Sequence, residues 1–136
     1  MKAFPKILTL GQKYTDRIFD GYVEITEKVD GSQFGFGKIN GELFIRSKGC
    51  LLDLDNPAEM FKQGVSYIKS IEDRLPDNTL FHGEYLQTPK HNTLAYNKIP
   101  KNHICLFSVS FIDDTFISHN KIVEWANILN IDVVPL

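Results

Sequence analysis

The dipeptide Asn40-Gly41 constrains this chain more than any other feature. It sits between two short runs, 33–39 and 42–46, and reads as the turn of a β-hairpin. Both of its residues tolerate positive φ, so it is a strong type I′ signal. Residues 22–29, Tyr-Val-Glu-Ile-Thr-Glu-Lys-Val, alternate with period two and predict a strand before the hairpin. Further strands are predicted at 79–86, 103–112 and 131–134. A helix is predicted over 57–75, with Asn56 as its cap and Pro57 in its first turn. Phe61, Val65, Ile68, Ile71 and Leu75 give it an apolar stripe. Ser118 is placed to cap a last helix whose inner face carries Ile122, Val123, Ala126 and Leu129. Hairpins with two substantial helices predict an antiparallel α+β domain rather than a βαβ array.

The length of 136 residues fits one domain, and 43% hydrophobic with 24% charged residues is ordinary for a folded globular chain. A net charge of −2 excludes a global basic field, so any nucleic-acid surface must be a local patch. Cys50 and Cys105 are far apart with no CxxC spacing, which fits reduced thiols in a cytoplasmic protein. No apolar run approaches the ~20 residues of a membrane span, and the N-terminus has no signal-peptide core. A monomer without membrane contact is expected. The apolar ending Asp132-Val133-Val134-Pro135-Leu136 reads either as a terminal strand tucked into a sheet or as the end of a piece cut from a longer domain.

The stretch 87–103 stands apart. It carries Lys90, Lys98, Lys101, His91 and His103, two prolines and no acid. Seventeen residues without periodicity are long for a compact domain, and such loops often carry function. The plain alternative is a solvated loop that happens to be basic.

Lys28-Val29-Asp30-Gly31 matches the pattern K-x-D-G, which arises by chance in roughly one chain in thirty of this length. Asp-Gly is also an ordinary hairpin turn. An amine attacks phosphorus only when unprotonated, and an exposed lysine titrates near 10.4, so neighbouring cations or burial must lower that value. On a strand over 22–29, Lys28 would share the more polar face with Tyr22, Glu24 and Thr26. Arg46-Ser47-Lys48 follows at the end of the hairpin. Phe81-His82-Gly83-Glu84-Tyr85-Leu86 places a glutamate inside an apolar strand, and His103-Ile104-Cys105-Leu106-Phe107-Ser108-Val109 is an apolar strand carrying aromatics.

In that order these segments resemble the covalent nucleotidyltransferases, the superfamily of polynucleotide ligases and mRNA capping enzymes. The phrase Glu27-Lys28-Val29-Asp30-Gly31-Ser32-Gln33-Phe34 is most similar to phage-type and archaeal ATP-dependent RNA ligases, and the resemblance runs from about residue 7 to 136. It implies an antiparallel-sheet adenylation domain, with 1–136 as its N-terminal portion, incomplete at the C-terminal end. It implies ATP and Mg2+ as cofactors and RNA bearing 5′-phosphate and 3′-hydroxyl ends as the partner. Lys28 would be the nucleophile that takes AMP. Glu27 would contact adenine, with Asp30 and Gly31 completing the nucleotide-binding motif. Arg46 would hold phosphate or ribose oxygens, Glu84 the ribose hydroxyls, and Phe107 would stack on adenine. Lys90, Lys98 and Lys101 would meet RNA phosphates. Glu84 as a salt-bridged strand residue and Phe107 as plain core are the bland alternatives.

Two departures qualify the likeness. Gln33 stands where DNA ligases and capping enzymes carry arginine, which leans toward RNA ligases. Ser108 follows Phe107 where the family usually has aspartate. The later Glu-Gly and Lys-x-Lys motifs of the family do not occur within 1–136, so this stretch by itself is expected to be inactive. The alternative is a non-catalytic nucleotide- or RNA-binding module derived from the same fold.

Overall fold

The Asn40-Gly41 turn forms as expected, with φ of 51° and 78° at its two residues. In the computed structural model, which describes residues 1–136, it joins β1 (Ser32–Ile39) to β2 (Glu42–Ser47). The Asp77 carboxylate accepts the Gly41 N–H at 2.9 Å, pinning the turn to the chain entering β3 (Thr79–Tyr85). With β4 (Ile104–Phe111) and β5 (Asp132–Val133), these form a five-stranded sheet in the order β2-β1-β3-β4-β5.

The first four strands in that order are antiparallel to their neighbours, whereas β5 runs parallel to β4. The expected fully antiparallel sheet is therefore corrected to a mostly antiparallel one. The cause is α2 (His119–Leu129) between the last two strands. A helical crossover carries the chain back along β4, so the next strand enters in the same direction. Asn130, left-handed at φ 51°, closes that helix. Ser118 stands at its N-cap but makes no side-chain capping bond.

The first helix is shorter than predicted. α1 spans Lys62–Ser70, with 3-10 turns at Glu59–Phe61 and Glu72–Arg74 on either side. Asn56 does not cap it. Asp53 accepts the N–H groups of Asp55 and Asn56, which closes a separate turn ahead of the helix.

Both helices lie on one face of the sheet. Phe34, Phe36, Phe81, Tyr85, Ile104, Leu106 and Val109 of the strands share a core with Val65 and Ile68 of α1 and Ile122, Ala126 and Leu129 of α2. The Phe36 and Phe81 rings stack at 5.1 Å.

Residues 22–29 do not form the predicted strand. Val23 is 41% and Ile25 71% exposed. Period-two alternation requires an edge to pair with, and here the segment meets only the chain beyond β5, through Glu27 N–H to the Pro135 carbonyl at 3.0 Å. The reading of Lys28 as a residue on a strand's polar face falls with it; Lys28 is exposed in the irregular segment that leads into β1.

Candidate active site

The two residues after Val29 make the junction on which the site depends. A Cβ at Gly31 would stand 2.4 Å from the Tyr85 carbonyl oxygen, so only glycine lets the chain pass this close to the end of β3. There the Gly31 N–H donates to Glu84 Oε1 at 3.0 Å. Asp30 turns the other way. Its carboxylate accepts the N–H groups of Thr93 at 2.8 Å and Leu94 at 2.9 Å, and its own N–H donates to the Tyr96 hydroxyl at 2.8 Å. Those main-chain donors hold the Asp30 carboxyl below its ordinary range, aided by Asn92 and by the charge of Lys28. The basic stretch 87–103 is thus clasped to the K-x-D-G segment rather than hanging in solvent.

His91 adds a second clasp. Gln87 N–H donates to His91 Nδ1 at 3.0 Å, which leaves the proton on Nε2 to donate to Ser32 Oγ at 2.8 Å. In that tautomer His91 orients Ser32 and does not deprotonate it.

The face of the sheet opposite the helices collects most of the remaining candidates. Residues directly opposite in paired strands share a face. Gln33 stands opposite Glu84, and Glu84 opposite Cys105. In the next row Gly35 separates Arg46 from His82. The β3–β4 register shifts between His82 and Gly83, leaving Phe107 as the extra residue of a bulge. Leu106 and Val109 on either side point into the core, while Phe107 is half-buried on the opposite face with its ring near Phe4.

Burial governs the charges here. Burial raises the Glu84 carboxyl, opposed by the Gly31 amide and by Lys28. The Cys105 thiol is pushed up to about 12, first by burial and then by Asp132, Glu27 and Glu84, so those three carboxylates gather around it. A buried thiol so raised stays protonated near pH 7. His82, 4% exposed, is lowered to about 4 by burial and by Arg46, so it is neutral at pH 7. Its Nδ1 is buried without a hydrogen-bond partner.

The RNA ligase family model matches residues 21–136. This chain belongs to the RNA ligase family. No curated protein matches it.

In this RNA ligase family member the structure brings Gly31, Glu84 and the charge of Lys28 together, and sets Arg46 and Phe107 on the same sheet face as Glu84. Phe107 lies outside the 18-residue core cluster. Arg46 does not point freely into the site. Its guanidinium donates to the carbonyls of Met1, Ser47 and Lys48, at 2.6, 3.0 and 3.3 Å. Asp30 is committed to the 87–103 loop. Lys90, Lys98 and Lys101 are exposed along that loop. No group of three or more His, Cys, Asp or Glu side chains is placed to hold a metal ion. No helix is long and apolar enough to cross a membrane.

Two residues of this face escaped the sequence reading. His82 was legible in principle, since it lies two positions before Glu84 on the same strand and so on the same face. Phe4 was not. It reaches the site through the tertiary path of the chain before the first motif, which no local pattern reveals.

Proposed function

We propose that residues 1–136 carry the nucleotide shelf and nucleophile of an ATP-dependent RNA ligase adenylation domain. The Lys28 Nζ lone pair attacks the α-phosphorus of ATP. A nitrogen–phosphorus bond forms, the bond to the bridging oxygen of pyrophosphate breaks, and the amine protons leave to solvent. AMP then passes from Lys28 to the 5′-phosphate of an RNA, and a 3′-hydroxyl displaces AMP as the strand is sealed. Magnesium held chiefly by the phosphates would neutralise their charge and favour in-line attack. Phe107 offers a ring face to adenine, Glu84 a carboxylate to the ribose hydroxyls, and Arg46 a fork to phosphate or ribose oxygens.

The observation that carries this reading is the Gly31–Glu84 hydrogen bond. It ties the segment bearing Lys28 to the sheet face bearing Arg46 and Phe107, which supports a single ligand shared among them. The Asp30 clasp extends the same unit to the 87–103 loop, whose Lys90, Lys98 and Lys101 would track RNA phosphates. Each such contact should contribute nearly one unit to the log–log salt slope of duplex binding, about 0.9 per phosphate.

One feature favours the second reading, a binding module without chemistry. Lys28 is exposed and Arg46 is engaged by carbonyls, so little positive charge is preorganised at the place where the transition state needs it. Losing a single such donor commonly costs about two to three powers of ten in rate. Incubation with α-labelled ATP and magnesium, followed by denaturing electrophoresis, separates the readings. Residues 1–136 alone should bind nucleotide yet form little labelled protein, whereas a form supplying the family's later lysine pair should label strongly. Label that survives Lys28→Ala sinks the assignment of the nucleophile. Absence of label in both forms leaves the binding module.

A further inference from the structure

The first four residues lie across the face that the proposed function assigns to nucleotide. The Phe4 ring meets Phe107 edge-on at 4.9 Å, His82 at 5.2 Å and Phe116 at 6.0 Å. Such edge-to-face contacts are favourable, and together they fill an aromatic box. Met1 does the corresponding thing at the polar end. Its carbonyl oxygen accepts from Arg46 Nη1 at 2.6 Å. Its Cε lies over Gly35, 2.9 Å from where a Cβ would stand. Lys2, between them, lies 3.8 Å from Asp114, an exposed pair of small energetic weight.

We infer that Met1–Phe4 is an internal pseudo-ligand that occupies the nucleotide shelf and must leave before an adenine nucleotide binds. The Phe4 ring takes the position of a base on Phe107, and the Met1 carbonyl takes the position of a ligand oxygen on Arg46. The inference rests on the reading of Phe107 and Arg46 as nucleotide-contacting residues. Two independent observations support occlusion rather than simple packing. Phe4 and Met1 are only half-buried and lie outside the core cluster, so the fold does not depend on them. Beneath them His82 Nδ1 is buried with no partner, a polar atom that this covering leaves unsatisfied and that a ligand donor could satisfy.

The ligand class follows from the box: a planar aromatic base joined to an oxygen-rich group at the distance separating Phe107 from Arg46. AMP is the simplest probe. Equilibrium dialysis of labelled AMP against the 136-residue chain, Phe4→Ala and Phe107→Ala gives the test. Phe4→Ala should bind about three- to tenfold more tightly than the native chain, the factor by which a site open about a third to a tenth of the time weakens its ligand. In the native chain, nuclear Overhauser contacts between the Phe4 and Phe107 rings should vanish as AMP saturates; this second measurement stands even if Phe4→Ala fails to fold. Equal or weaker binding by Phe4→Ala, with binding lost in Phe107→Ala, overturns the pseudo-ligand while leaving the nucleotide shelf intact. Ring contacts that persist at saturation overturn it too. If no form binds AMP, both the shelf and its pseudo-ligand fall.

Discussion

The two faces of the sheet are built for different purposes. On the helix side, Phe34, Phe36 and Phe81 are fully buried and interlock with both helices, so the face is committed to stability. On the opposite side the same two strands, β1 and β3, present Gly35, His82 and Glu84, the edge strand β2 adds Arg46, and the cover is a strap of four residues rather than a helix. Strands whose inner positions are bulky and whose outer positions are small or ionisable can hold a rigid frame and still leave room for a ligand. Core side chains and small or ionisable ones thereby alternate along one strand.

That division can be tested by substitution on each side. The largest effect is expected on the core face. Phe36→Ala should destabilise the fold by about 3–5 kcal/mol, as truncation of a fully buried aromatic does; urea unfolding measures it, and a loss below 1 kcal/mol would contradict the division.

A pH effect of about 3 kcal/mol is expected from His82 on the outer face, the consequence of a pKa near 4 in the fold against about 6.5 in the unfolded chain. Its depressed value means the unfolded chain binds the proton more readily. The contribution is therefore fully present above pH 6.5 and is lost as pH falls toward 4. Glu84, raised by burial, contributes with the opposite sign. Comparing native with His82→Gln isolates the histidine, and parallel stability curves for the two across that window would refute its burial.

Gly31→Ala should cost about 1–3 kcal/mol through overpacking against the Tyr85 carbonyl. It should also loosen the 87–103 loop, read as faster amide exchange at Thr93 and Leu94. Unchanged exchange there would separate the two motifs.

The smallest stability effect belongs to Phe107→Ala, below about 1 kcal/mol because that ring is half-buried outside the core. AMP binding should nevertheless be lost. Severe unfolding would return Phe107 to the core.

What the sequence disclosed followed from local physics. The Asn40-Gly41 turn, the apolar stripes of both helices and the strand carrying Glu84 were all legible, because turn chemistry and periodicity act over a few residues. The stretch 22–29 had equally clear alternation and formed no strand, since pairing depends on an edge elsewhere in the molecule. The parallel docking of β5 was hidden for the same reason. At the site, the order of Lys28, Arg46, Glu84 and Phe107 could be read, but their surroundings could not. Asp30's commitment to the basic loop, Arg46's carbonyl partners and the reach of Phe4 are long-range contacts without a local signature.

The path of the strap has a consequence for how any ligand is selected. Phe4 is tethered to the sheet by the 22 residues 5–26, before Glu27 is fixed to Pro135. A group on a short tether confronts its site at an effective concentration on the order of millimolar, set by the length of the tether and indifferent to dilution of the protein. On the pseudo-ligand inference, a free nucleotide well below that level would need a higher intrinsic affinity than the arm to displace it. If the strap is the pseudo-ligand inferred above, changing the length of the arm should shift the nucleotide concentration needed to displace it without touching a single residue of the shelf.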